Sequence, residues 1–359
     1  MINMKKLLMI IIVAVVLGGL GYGIYDSVKP KEKYEIKLWN NIYNGDSIAL
    51  FYEEESDLRI EMLRALYNLD KIDKGDDEIN YILKVSEAAS KVVTLDNVDD
   101  TKALNGYDII RLIGEKRIVS AKDMAIIVRD FITSVGYDAR IGEIRCSKKD
   151  EDKYDIYYIV EYYSDKYNKW IAVDIVDGGY FTFENTPCSG VELVEKGISQ
   201  LKYIGKVSSE EYFSDKKDLF KSYTIMIDNT VDRVKSNSVI TYITSKNEIT
   251  LTYGDKALMP TIYTENRELF TKAPNAEGEV EDDKAYIILM KSEEEGVERF
   301  VVGGFKNGKI MDEYYVGRSN GTFEKVNEYF ELELIKGKNM ISISCDGVNE
   351  DARIEITYN

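Results

Sequence analysis

Ser120 to Gly136 reads SAKDMAIIVRDFITSVG, and three short segments follow it: ARIGEIRC at 139–146, DIYYIVEYY at 155–163 and WIAVDIV at 170–176. Ser120, with Asp123 three residues on, predicts a helix N-cap and its reciprocal acid. Met124, Ile127, Val128, Phe131, Ile132 and Val135 recur at three- and four-residue spacings, so they form the apolar face. Gly136 supplies the stop. The three following segments are rich in Ile, Val, Tyr and Trp and predict strands. The charged run Ser147 to Lys153 and the loop Ser164 to Lys169 divide them. A helix followed by a meander predicts an α+β domain on an antiparallel sheet.

Outward from this stretch, Leu50, Leu58, Met62, Leu63, Leu66 and Leu69 predict a helix within Asp46 to Leu69. Gly75 and the charges of Lys71 to Asp77 break it. Further helices are expected near Asp77 to Val93 and Thr101 to Ile113. Phe181 to about Lys235 is mixed. From Ser238 onward the chain reads as short strands separated by turns such as Asn307-Gly308, Gly337-Lys338-Asn339 and Asp346-Gly347, which predicts a β-sandwich, Ig-like or jelly-roll-like. No internal repeat is evident.

The opening of the chain is different. Lys5 and Lys6 precede an uncharged run, Leu7 to Tyr25. As a helix at 1.5 Å per residue it reaches about 28 Å, close to the thickness of a hydrocarbon core. No A-x-A-like cleavage site is obvious, so a retained signal anchor is favoured over a cleaved signal peptide. The lysines before the run favour a cytoplasmic N-terminus, and Lys29, Lys31 and Lys33 beyond it weaken that bias. The expectation is a single-pass membrane protein with the bulk of the chain extracytoplasmic.

The net charge of −17 over 359 residues excludes nucleic acid, whose phosphates demand Lys/Arg surfaces, and disfavours general attraction to anionic lipid heads. It suits solubility or a basic partner. Cys146, Cys188 and Cys345 are too few and too scattered for a disulfide scaffold or zinc site, and the chain contains no histidine. No cofactor is called for.

The central motifs resemble the transglutaminase-like superfamily, relatives of papain-type cysteine enzymes. That family's core runs Cys-Arg-Asp-aromatic-Ala at the start of a helix, then Gly-Ile-x-Ala-Arg, a His-Ala-Trp-Val-Glu strand and a Trp-Val-x-Val-Asp strand. Here the corresponding residues are Ala121-Lys122-Asp123-Met124-Ala125, Gly136-Tyr137-Asp138-Ala139-Arg140, Tyr157-Tyr158-Ile159-Val160-Glu161 and Trp170-Ile171-Ala172-Val173-Asp174. The resemblance covers some 60 to 100 residues and implies a papain-like α+β domain. It also implies that the nucleophile position holds Ala121, the base position Tyr157 and the orienting acid Asp174. Alanine offers no nucleophile, and a tyrosine with an ordinary pKa of about 10 is a poor base at neutral pH. Removing members of a comparable triad costs on the order of a millionfold. Ser120 with Lys122, or Cys146 or Cys188, would have to supply the chemistry instead, and none has a histidine to activate it.

The expected organisation is therefore an anchor and stem (1–29), a helical section (30–115), a transglutaminase-like core (116–205), a connecting segment (206–237) and a β-sandwich (238–359). The expected function is that of a pseudoenzyme, not an enzyme, whose old cleft around Ala121, Tyr157, Trp170 and Asp174 binds a protein or peptide of the cell envelope. An alternative is carbohydrate binding or a structural role through the sandwich. Tyr154, Tyr157, Tyr158, Tyr162, Tyr163, Tyr167 and Trp170 make an aromatic-rich stretch suited to a peptide or glycan, or to core. Asp346, Asn349, Glu350 and Asp351 read as a hairpin turn before they read as calcium ligands. The acidic runs at 53–55, 281–283 and 293–295 read as solvated surface.

Overall fold

The computed structural model describes residues 34–145, 156–214, 216, 222–244, 250–253, 260–274, 281–291, 298–318 and 322–359. The expected anchor at Leu7–Tyr25, together with Cys146 and Tyr154, lies outside them. Among the described residues no helix is long and apolar enough to cross a membrane.

The fold is mixed α+β. Helix α1 (Leu58–Leu66) begins where the Asp57 carboxylate accepts from Arg59 N. The sequence pattern predicts a start near Asp46, but residues 43–52 are held elsewhere. Tyr43 N donates to Tyr263 O at 2.6 Å, and Phe51 exchanges backbone bonds with Ile227 and Asn229. Tertiary hydrogen bonds outcompete a weak helical periodicity there. Helix α2 (Glu78–Val92) is capped by Asp77, and α3 (Gly106–Ile113) by Asn105. The central helix α4 (Ala121–Ser134) has Ser120 as its cap, accepting from Asp123 N at 3.1 Å. Asp123 does not return the bond; its carboxylate takes the Thr101 N–H and hydroxyl instead, which ties the preceding loop to the helix start. Gly136, at φ +87, turns the chain out of α4.

The strands are β1 (Tyr34–Lys37), β2 (Ala139–Arg145), β3 (Ile156–Ser164), β4 (Lys169–Asp174), β5 (Gly179–Phe183), β6 (Lys202–Ile204), β7 (Ser222–Met226), β8 (Val239–Ile243), β9 (Thr250–Tyr253), β10 (Thr261–Thr264), β11 (Tyr286–Lys291), β12 (Arg299–Lys306), β13 (Glu313–Arg318), β14 (Phe323–Asn327), β15 (Tyr329–Glu333), β16 (Gly337–Ser344) and β17 (Ala352–Tyr358), with a few two-residue pairings besides. Among the described residues one 13-stranded sheet runs β12-β11-β10-β8-β7-β2-β3-β4-β5, with β15 beside β12, β6 beside β5, and the two-residue strands Lys309–Ile310 beside β12 and Thr186–Pro187 beside β5. Its pairings are antiparallel except β8 with β10. A second, six-stranded sheet runs β9-β1-β17-β16-β13-β14.

Three short helices, α5 (Gly190–Lys196), α6 (Ser209–Phe213) and α7 (Glu268–Thr271), lie on one face of the long sheet. A single buried cluster fills that face from Tyr157 and Ile159 through Tyr223 and Ile240 to Tyr286, Ile288 and Phe305. The opposite face carries two cores. At the β2–β4 end, Ile141, Val160, Tyr162, Ile171 and Val173 meet Ile127, Val128, Phe131 and Ile132 of α4. At the β11–β12 end, Ile287, Leu289, Phe300 and Val302 meet Ile341, Ile343, Ile354 and Ile356 of the second sheet. Each such buried aliphatic side chain contributes about 1.5–3 kcal/mol of hydrophobic stabilisation.

The C-terminal strands pack as two layers that extend beyond residues 238–359. One of the layers is the continuation of the central sheet, and β7 bridges the two ends by pairing with both β2 and β8. The other layer contains β1, from the section expected to be helical, paired between β9 and β17. Tyr34 and Ile36 are fully buried there. A fragment comprising 238–359 alone therefore exposes Ile356 and the β17 edge. It is expected to aggregate or to lack dispersed methyl resonances by NMR, and to regain structure when a peptide carrying residues 34–38 is added.

Candidate functional site

The motif residues do meet, but at a structural centre. Arg140 stands opposite Glu161 on neighbouring strands, and its Nε lies 2.7 Å from Glu161 Oε2, with both side chains fully buried. Arg140 Nη2 also donates to Phe270 O at 2.6 Å, and the guanidinium sits 4.0 Å above the Trp170 ring. Glu161 accepts from Gly190 N at 2.6 Å and from the Tyr223 hydroxyl. Trp170 Nε1 donates to Lys272 O at 2.8 Å, and the Tyr52 ring stacks on it at 5.3 Å. The Glu161 carboxylate holds Arg140 well above the ordinary arginine range, against the opposing effect of burial. Gly190 is required here, since a Cβ would fall 2.2 Å from the Tyr223 ring. Of this network the sequence motifs flagged Arg140, Glu161 and Trp170; Tyr52, Tyr223 and Gly190 carry no local signal.

The four expected cleft residues divide between the two sides of the sheet. Tyr157, Trp170 and Asp174 point to the same face as Arg140. Tyr157 donates to Asp174 Oδ1 at 2.8 Å and accepts from the Tyr212 hydroxyl at 2.9 Å. Tyr203 stacks on Tyr212 at 3.8 Å, and its hydroxyl neighbours the same carboxylate. Burial, reinforced by Asp174, pushes Tyr157 well above its ordinary pKa. Burial also raises Asp174, opposed by the Val176 N–H and the Tyr157 hydroxyl. With its pKa raised, Tyr157 holds its proton more firmly than an ordinary tyrosine, so even less phenolate is available at neutral pH to act as a base. Ala121 opens α4, whose apolar face packs on the opposite side of β3. There the tyrosine offered is Tyr158, packed with the α4 core and subject to the charges of Asp100 and Asp123 beside the helix start. The expected cleft is thus three residues of one buried cluster and a helix start on the far side.

An open cavity of ≈ 570 Å³ lies beside the Arg140 centre. Its walls are the segment 50–56, Thr133, the motif turn Gly136-Tyr137-Asp138 and Lys235. Tyr52, which supports Trp170, lines it as well. The groove carries Glu53, Glu54, Glu55 and Asp138 against Lys235, whose ammonium rests 4.5 Å from the Phe51 ring. Burial, with Asp165 nearby, raises the Asp138 carboxyl. Glu55 stands 3.7 Å from Arg64, and its carboxylate leaves room for a glycine at 136, where a Cβ would approach it to 3.1 Å. The run 53–55, expected as plain solvated surface, is one wall of this groove.

The remaining candidates resolve locally. Asp346 accepts from Val348 N and Asn349 N and from the Ser344 hydroxyl, so its carboxylate closes its own turn and is held well below the usual range. Among the described residues no group of three potential metal ligands occurs. Cys188 is buried, its thiol pushed up to about 11 by burial, and Cys345 is exposed on the sandwich. Burial places Tyr162 in the α4 core and Trp170 in the Arg140 centre, so these two members of the aromatic stretch serve packing.

No family model and no curated protein matches the chain. Among solved structures it is similar to a transglutaminase of red sea bream, at 9% identity over 84% of this chain and 72% of that one, with a TM-score of 0.28. A likeness of that size carries no argument about chemistry.

Two outcomes are expected. Glu161→Gln or Arg140→Met leaves a buried charge without its partner and lowers stability by about 3–5 kcal/mol in urea denaturation. Asp174→Asn acts in the other direction. A carboxyl raised in the folded state contributes fully below its unfolded pKa of about 4 and loses that contribution as pH rises through the folded value. Removing the charge therefore raises Tm at pH 7–8, and the gain shrinks toward zero near pH 4.

Proposed function

We propose that this chain is a membrane-anchored, extracytoplasmic pseudoenzyme of transglutaminase-like descent, which binds a protein or peptide segment of the cell envelope and performs no chemistry at its motif positions. The observation that carries the reading is the fate of the motif residues. Those that brace the frame, Arg140, Glu161 and Trp170, form one buried network. At the positions of reagents, Ala121 has no nucleophile, and Tyr157 and Asp174 hydrogen-bond to each other inside a buried cluster.

A binding role then needs an accessible surface next to that frame. The groove at Gly136-Tyr137-Asp138 and 50–56 supplies it: large enough for several side chains, aromatic at Tyr52 and Tyr137, and mostly acidic. Its charge suits a segment bearing lysine or arginine. The apolar run Leu7–Tyr25 supports the anchor, and with it the placement of the groove outside the membrane.

A photoreactive residue at Tyr137 in native membranes is expected to capture one protein partner, and Asp138→Lys with Glu54→Lys is expected to abolish capture while leaving Tm within a few degrees. Capture centred on Ala121 instead, or capture insensitive to the charge reversals, sinks the groove reading.

A further inference from the structure

The crossover from β15 to β16 carries an apolar residue that the fold holds in the open. Ile335 is 70% exposed, yet its backbone is fixed at both polar atoms. Its N–H donates to Asn339 Oδ1 at 2.9 Å, and its carbonyl accepts from Asn339 Nδ2 at 2.8 Å. The same buried amide reaches Gly337 O and Ile356 O, at 3.1 and 3.2 Å. Gly337, at φ +95, supplies the left-handed turn into β16. Ile335 is therefore a fixed protrusion and not a loose end.

Strand register places this protrusion. Gly337 pairs with Tyr358, and Tyr358 pairs on its other edge with Tyr34. The turn thus lies two strand spacings, about 10 Å, across the sheet from the start of β1. Tyr34 follows Tyr25, the last residue of the apolar run, by nine positions. A stretch of that length reaches about 30 Å at most. The opposite end of the same β16–β17 pair closes at 345–351, where Val348 is 76% exposed. There Asp346, Glu350 and Asp351 share the turn, and carboxylates resist leaving water. The Ile335 end differs. Lys336 is exposed, Lys338 pairs with Glu355 at 3.0 Å, and Glu333 is exposed just before the crossover, so this tip offers apolar surface with little net charge.

We propose that Ile335 inserts into the interface of the lipid bilayer, with Lys336 keeping its ammonium among the headgroups. This end of the two sheets then faces the membrane, and the Asp346 turn faces away from it. The contact rests on the reading of Leu7–Tyr25 as an anchor, and it adds to that reading a second, peripheral membrane surface on the folded body. One isoleucine holds a bilayer too weakly to recruit a free protein. A tether of this length makes the contact intramolecular, at an effective concentration on the order of millimolar, so a weak contact suffices. Insertion, and not attraction to anionic lipid, is the driving term, in keeping with the chain's net charge of −17.

The test uses the full-length protein in phosphatidylcholine vesicles that carry a nitroxide quencher just below the headgroups. A fluorescent residue at position 336 is expected to be quenched, and one at position 348 to stay bright. Ile335→Asp in the 336-labelled protein abolishes the quenching and leaves Tm unchanged, because the side chain it replaces is exposed; Ile335→Leu keeps the quenching. Equal quenching at 336 and 348 overturns the contact. So does quenching at 336 that survives Ile335→Asp, or that appears only when anionic phosphatidylglycerol is added. Extraction with alkaline carbonate separates this contact from the anchor. A chain that resists extraction yet shows no quenching at 336 keeps its anchor and loses the contact, whereas a chain stripped from the vesicles loses both.

Discussion

The ion pair between Arg140 and Glu161 is the contact on which the rest of the structure depends. Two unit charges are held away from water on adjacent strands, an arrangement whose desolvation is offset by further hydrogen bonds, although Arg140 Nη1 is left without a partner. The partners come from all over the chain. Phe270 offers a carbonyl, Gly190 an amide, Tyr223 a hydroxyl and Trp170 an aromatic face. The pair therefore fixes the positions of α5, β7 and α7 relative to β2–β4.

The same centre determines where a ligand has room. Tyr52 lies against Trp170 on one side and lines the groove on the other, so the network braces a wall of the groove. Gly136 to Asp138, which lead the chain from α4 into Arg140, form another wall. By contrast, Tyr157 and Asp174 are consumed by each other and by Tyr212. A catalytic base must be free to meet a substrate proton, and this tyrosine already has both a donor and an acceptor in place.

The sandwich and the central α+β region share one sheet and one continuous core on its α5–α7 face. Separation at residue 205 would cut that core through the β2–β7 pairing, and separation at 238 through the β7–β8 pairing.

What the sequence determined by itself was local. Ser120 as a cap, Gly136 as a stop and the alternating strands at 139–145, 156–164 and 169–174 were legible because capping and periodicity act over a few residues. The importance of Arg140, Glu161 and Trp170 was legible through their motifs. Tertiary structure decided the rest. Residues 34–37 became a strand because an open edge at β17 and β9 accepts them, which no local propensity encodes. Residues 43–52 lost their helical pattern to backbone bonds with 227, 229 and 263. Which side of the sheet faces α4, and hence that Tyr158 and not Tyr157 meets the helix, follows from a strand parity that one-residue motif matching cannot resolve. The groove brings residues 50–56 together with 133, 136–138 and 235, so its chemistry existed only once the chain had folded.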